Sequence, residues 1–310
     1  MKGSFDLSGH LVAYATMAAS CLGDMFEAWK AGLASATSDQ AFRDIVKDIS
    51  LGRPEGFADA PSVVVAALST PPRTIPLKWR GAEYEWQQPP QYYRMKVRRN
   101  DVRDALSTRL KPGTALRMEE ADALPLKFLA AWTSLGSYGR NNIIQVPGMG
   151  SAITLIAWWC DLPEADAGIA RGPAKFMDRC ASCDLCPSLC PTGAIPREFG
   201  VIDASRCVSL YNEGDGEVPD WVPKACFHAT NGCSICQRSC PENAQYRSWM
   251  VRMPSFEEDE VASMLSGGKD EESLKVIAKV ISADEPELLQ AYAPIIAINL
   301  KRFFDAQGAA

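Results

Sequence analysis

Histidine is scarce in this chain: His10 and His228 are the only two. That scarcity removes most of the support for imidazole metal sites and for Ser-His-Asp triads, each of which needs a histidine at a set place. Long apolar runs are missing as well. No stretch approaches the roughly 18–20 residues needed to cross a bilayer, so no membrane association is expected. A complete G-x-G-x-x-G after a strand is absent, and so is a G-x4-G-K-[ST] loop, which leaves no nucleotide fingerprint. The glycine pairs Gly136/Gly139 and Gly148/Gly150 read first as turn and helix-stop residues. Excess positive charge is lacking too. A net charge of −6 argues against a general nucleic-acid binder. An export leader is not expected, because Lys2 is the single Lys or Arg ahead of the apolar stretch Leu11–Cys21 and Asp6 opposes it. Reduced thiols in the cytoplasm are the consequence expected.

Cysteine, by contrast, is abundant and clustered. Nine of the eleven cysteines fall between Arg179 and Asn243. Cys180, Cys183, Cys186 and Cys190 read C-x2-C-x2-C-x3-C and precede Pro191, the bacterial ferredoxin run. Cys233, Cys236 and Cys240 before Pro241 repeat that motif without its first cysteine. Thiolates two residues apart on a tight loop reach three corners of one 4Fe-4S cube, and the cysteine before proline ligates the other cube. The first cluster then takes Cys180, Cys183, Cys186 and Cys240. The second takes Cys190, Cys233 and Cys236 and lacks one ligand. Cys207 or Cys226 can complete it, and spacing alone does not choose between them. Structural zinc closes with four ligands and has no use for two C-x3-C-P endings.

The rest of the chain has 47% hydrophobic and 23% charged residues, enough to bury a core. Apolar spacing over Leu7–Ile49 suggests two helices with a break near 36–39. Pro61–Leu68 reads as a buried strand and Pro71–Pro90 as a turn-rich loop. Asp101–Leu110 and Leu126–Leu135 have helical periodicity, the second stopped at Gly136. Asn142–Val146 and Ala152–Trp158 look like strands joined by Pro147-Gly148-Met149-Gly150. Glu257–Glu260 suits a helix N-terminus. Helices are expected over Glu271–Ile281 and Pro286–Phe304, the latter broken before Pro294. Basic residues Arg94, Lys96, Arg98, Arg99, Arg103, Arg109, Lys111 and Arg117 gather in one stretch, either a phosphate grip or a solvated helix face.

Three segments, CASCDLCPSLCPTGAIP from Cys180, IDASRCVSLYNEG from Ile202 and GCSICQRSCPEN from Gly232, carry a likeness. The chain resembles epoxyqueuosine reductases within a wider double-4Fe-4S family that includes corrinoid-dependent reductive dehalogenases. The cysteine of that family's D-A-x-R-C segment is a ligand of the second cluster, and Cys207 stands there, which leaves Cys226 spare. Leu135-Gly136-Ser137-Tyr138-Gly139-Arg140-Asn141-Asn142 is similar to the family's L-G-W-x-G-K-N segment, which points to Gly136, Gly139, Arg140 and Asn142 as a corrinoid region. The fold implied is mixed α/β (α+β): a nitroreductase-like cobalamin-binding domain over residues 1–170, a ferredoxin-like two-cluster domain over 171–247, and C-terminal helices over 248–310. The activity implied is reduction of an organic substrate by single electrons passing through two 4Fe-4S clusters to a bound cobalamin. A flavodoxin, ferredoxin or reductase would donate them. By spacing, Glu120 or else Asp122 stands nearest the family's acidic proton donor, with burial beside Leu124 and Leu126 expected to raise its pKa. The family's motif around that acid is not matched here, which weakens the transfer of a tRNA substrate. A different class of function, an electron-transfer partner without substrate chemistry, fits the cysteine runs alone.

Overall fold

The computed structural model describes residues 1–35, 40–90, 96–168, 172–198, 200–214, 216–283 and 285–309. The helix break expected near 36–39 and Arg94 of the basic stretch lie outside them. The strands are β1 (Lys2–Leu7), β2 (His10–Ala18), β3 (Ser62–Ser69), β4 (Arg73–Trp79), β5 (Ala82–Gln88), β6 (Met118–Glu120), β7 (Ser137–Tyr138), β8 (Ile144–Gln145), β9 (Ile153–Cys160) and β10 (Val251–Arg252). Two compact units share the chain. The first takes Met1–Thr70, Arg98–Asp184 and Ile195–Asp203, and the second takes Pro71–Val97, Leu185–Ala194 and Ala204–Ala310. They interleave in sequence, unlike the consecutive segments 1–170, 171–247 and 248–310.

The first unit is built on an antiparallel sheet of order β1-β2-β3-β9-β6. Its middle strand β3, the expected Val-rich run, is buried at every residue. The helix expected from Leu7 is instead a hairpin: Ser8 and Gly9 turn the chain at φ 51° and 80°, the conformation of a tight two-residue hairpin loop. The run from Val12 to Ala18 is buried throughout, so its apolar residues have no period of their own and a helical subset can be picked from it by accident. Helices do follow at Leu22–Ser35 and Gln40–Val46.

Asn142–Val146 shortens to β8, which pairs with β7 and not with β9. Val146 N–H donates to Gly150 O and Gly150 N–H to Val146 O, both at 2.9 Å, so the Pro147–Gly150 turn closes on itself. Helix Leu126–Trp132 is stopped by Ser134 at φ 57°, two residues earlier than Gly136. Gly136 has another task. A Cβ there would stand 2.7 Å from the Gln145 carbonyl oxygen and 2.6 Å from Ile144 Cγ2, so only glycine lets β7 lie this close to β8.

In the second unit the stretch Pro71–Pro90 is an ordered hairpin, not a loop, with register Arg73↔Gln88 to Trp79↔Ala82 and a turn at Arg80-Gly81. Ile75, Leu77 and Trp86 are fully buried on one face, an alternation that Pro76 in mid-strand obscures in the sequence. That face packs with helices Glu258–Ser266, Glu271–Ile281 and Pro286–Gln307, among them Val280, Ile296, Leu300 and Phe304. The Glu260 carboxylate accepts the Glu257 N–H at 3.1 Å, confirming the acidic helix start. The last helix runs unbroken through Pro294. An interior proline costs about 3 kcal/mol, and burying large apolar side chains such as Leu289, Ile296, Leu300 and Phe304 offsets it at roughly 1.5–3 kcal/mol each. Among the described residues no helix is long and apolar enough to cross a membrane.

Candidate iron–sulfur and cofactor site

None of the eleven cysteines is in a disulfide. Cys180 and Cys183 belong to the first unit and the other seven of the run to the second. Among the described residues no three His, Cys, Asp or Glu side chains converge as a single ion would require.

Within the second unit Cys190, Cys207, Cys226 and Cys233 come near enough for their charges to act on one another. Arg206 draws two of their loops together. Its Nε donates to Thr192 O at 2.6 Å, two residues after Cys190, while its own neighbour is Cys207. The guanidinium also covers the Trp221 ring at 5.1 Å.

The four thiols differ in how their sulfur is held. Burial pushes Cys207 up, but the Ser209 N–H and hydroxyl both donate to its sulfur. Burial pushes Cys233 up to about 12, again with an offsetting donor, the Ile235 N–H two residues on. Cys226 is fully buried in an apolar nest with Val208 and Val222, and burial raises it to about 11 with no hydrogen bond in return. Donors aimed at sulfur stabilise a thiolate, the form that binds iron. Cys207 and Cys233 have them, and Cys226, among the described residues, has none. Thiols bind iron as thiolates, so loading iron releases protons.

In the first unit the glycine segment is stitched to the start of the cysteine run. Tyr138 N–H donates to Lys175 O at 2.8 Å and Met177 N–H to Tyr138 O at 2.9 Å, an extension of β7 that ends three residues before Cys180. Burial raises the Tyr138 phenol, whose ring leans on Phe176 with centroids 5.9 Å apart. Buried Arg140 reaches from the turn after Gly139 and donates to the Cys180 carbonyl. Gly139 O accepts the N–H of Asn142, which sits at φ 59°, so the two tighten this turn. Gly136, Gly139, Arg140 and Asn142 thus form one hairpin beside Cys180.

Gln145 of β8, unremarked in the sequence, matters most for a cofactor. It is 5% exposed, and among the described residues neither its amide oxygen nor its amide nitrogen has a hydrogen-bond partner. A buried unmet polar group costs about 1–3 kcal/mol. A donor and an acceptor left together in the hairpin suit the amide-rich rim of a corrinoid, so this donor set fits that group. Only the run Ile-Ile-Gln-Val-Pro, a polar residue amid apolar ones, hints at it in the sequence.

The candidate acids are placed differently from expectation. Glu120 and Asp122 are exposed, at 60% and 52%, and both bind the guanidinium of Arg99, at 2.6 and 2.7 Å. Burial beside Leu124 and Leu126, the surroundings expected of a proton donor, is not found at either carboxylate. The alternation that lifts Glu120 out of the sheet at the edge strand β6 was not visible in so short a segment.

The 4Fe-4S double cluster binding domain model matches residues 179–243. Epoxyqueuosine reductase of Bacillus subtilis (strain 168) is 26% identical over 238 residues, 69% of this chain and 60% of the relative. That of Staphylococcus aureus (strain NCTC 8325 / PS 47) is 26% identical over 194 residues, 59% of this chain and 48% of the relative. The matched part thus spans about half to three-fifths of these curated relatives. The solved epoxyqueuosine reductase from Streptococcus thermophilus shares the fold with a TM-score of 0.61 at 15% identity, over 95% of this chain and 77% of that one. Another, crystallised with an epoxyqueuosine-modified tRNA-Tyr stem loop, gives 0.60 at 19%, over 96% and 78%. The mixed α/β architecture, the double-cluster segment and these named relatives agree: the chain carries a 4Fe-4S double cluster binding domain and is similar in sequence and in fold to epoxyqueuosine reductases.

Proposed function

We propose that this chain is a reductase in which Cys180, Cys183, Cys186 and Cys240 hold one 4Fe-4S cluster, Cys190, Cys207, Cys233 and Cys236 hold the other, and a corrinoid is carried by the hairpin of Gly136, Gly139, Arg140, Asn142 and Gln145. A bound corrinoid would supply a cobalt centre able to accept single electrons and reduce an organic substrate. The observation that supports it is the buried, unmet amide of Gln145 in a hairpin that Arg140 joins to Cys180. Arg140 fixes the turn against the cysteine run, and Gly136 keeps the hairpin thin. Glu120 and Asp122 are read as counter-ions of Arg99, outside the proton transfer.

Protein reconstituted with iron, sulfide and hydroxocobalamin is expected to retain about one corrinoid per chain through gel filtration, as a one-site cofactor does. No corrinoid absorbance in the protein peak removes the reading. Gln145→Leu, of similar size and without the amide, should bind hydroxocobalamin about tenfold more weakly, the worth of one or two hydrogen bonds. Its iron content should not change. Equal affinity would show that the amide meets something else.

One relative was crystallised with a tRNA stem loop, yet the basic stretch here is largely engaged. Arg99, Arg103 and Arg117 are ion-paired and Arg109 lies over the Phe5 ring at 3.9 Å. A free organic substrate fits this better than a phosphate grip. A stem-loop titration is expected to lose less than about tenfold in affinity between 50 and 200 mM salt, whereas six to ten phosphate contacts would lose about 10³–10⁵. The steeper loss would restore RNA as the substrate.

A further inference from the structure

We infer that Asn299 is a positioning residue for the second cluster, holding the loops of Cys207 and Cys233 at a set separation from the last helix. The inference rests on the reading of Cys190, Cys207, Cys233 and Cys236 as its ligands. Asn299 is far in sequence from any cysteine of the run and 2% exposed. Its single amide nitrogen donates to two carbonyls, Asn212 O at 2.8 Å and Thr230 O at 2.9 Å. Asn212 ends the short helix that begins right after Cys207, and Thr230 lies three residues before Cys233.

The connection continues in both directions. Asn212 Nδ2 donates to Gly232 O at 3.0 Å, on the residue that precedes Cys233. Arg302 donates to Asn299 Oδ1 at 3.0 Å, to Tyr211 O at 3.1 Å and, through its other terminal nitrogen, to Gly216 O at 2.7 Å. Every hydrogen-bonding atom of the Asn299 side chain is therefore used, and its orientation is fixed by a cation one turn along the same helix. Amide geometry is specific here. Both hydrogens must be donated and the oxygen must accept, which no aspartate, leucine or alanine can do.

Loss of a group hydrogen-bonded to a metal ligand typically costs about 10- to 100-fold in metal affinity, and Asn299, which acts on the ligand loops through Asn212 and Thr230, belongs at the lower end of that range. Asn299→Asp keeps the shape and the Arg302 contact while removing both donors. Anaerobically reconstituted N299D is expected to lose iron to a chelator about tenfold faster than the parent, in a phase of half the iron. One of the two cluster signals in electron paramagnetic resonance should move in g-values and midpoint potential while the other stays. Asn212→Ala, which cuts only the last link to Gly232, should move the same signal less and serves if N299D does not fold.

A lowered unfolding temperature with both cluster signals and both chelation phases unmoved would overturn the inference, because a merely structural asparagine would give that. Movement of both signals alike would overturn it too. Cys207→Ala separates the two levels: retention of all the iron in C207A sinks the ligand assignment itself, whatever N299D does.

Discussion

Cys207→Ala is expected to lose half of the iron of the anaerobically reconstituted protein, about four of the eight atoms that two intact cubes contain, while Cys226→Ala keeps all of it. The two cysteines lie in the same neighbourhood, Cys226 buried and Cys207 half-buried, so the contrast tests chemistry and not mere proximity. Cys207 carries donors from Ser209 that favour the anion. Cys226 is embedded with Val208 and Val222 and, among the described residues, has no donor at its sulfur. Removing its sulfur leaves a small void, for which a fraction of the usual 2–5 kcal/mol of a large core truncation, about 1 kcal/mol, is expected. Iron and sulfide analysis of the two variants decides it. Equal iron in both would mean that the fourth ligand was misassigned.

The second large effect belongs to Gly136→Ala. Its added methyl would meet a backbone oxygen at 2.7 Å, and a carbonyl in a paired strand cannot swing aside as a side chain could. Overpacking of this kind costs about 1–3 kcal/mol, and the strain falls on the hairpin that carries Gln145 and Arg140. Loss of retained hydroxocobalamin with the iron content intact is the expected result. At Gly148, also at positive φ but with nothing within 4 Å of its missing Cβ, Asn should be accepted with little change. Corrinoid retention by G136A equal to that of the parent would detach the hairpin from the cofactor.

Legibility from sequence followed the kind of signal. The cysteine runs could be read because metal ligation sets spacing along the chain, in units of a few residues. The strand Ser62–Ser69 could be read for its β-branched content, and Glu257–Glu260 for its charge at a helix start. Both hairpins were missed for lack of a clean alternation: one has a strand buried on both faces, and Pro76 interrupts the other. The Ser8-Gly9 and Arg80-Gly81 turns, each at positive φ, were the available cues. Pro294 misled in the other direction, since its local cost is outweighed by burial that local rules cannot see.

What the sequence determined by itself is therefore the inventory of thiols, their grouping into two ferredoxin-type runs and the likeness to epoxyqueuosine reductases that they carry, because those depend on covalent spacing. Only the tertiary structure decided that Glu120 and Asp122 serve Arg99, that Cys207 and not Cys226 has donors at its sulfur, that Gln145 is buried unmet, and that Asn299 spans Asn212 and Thr230. Those facts join residues tens to more than eighty positions apart or turn on which groups are hidden from water. Hydrogen bonding and desolvation act through space, and spacing along the chain carries no record of them.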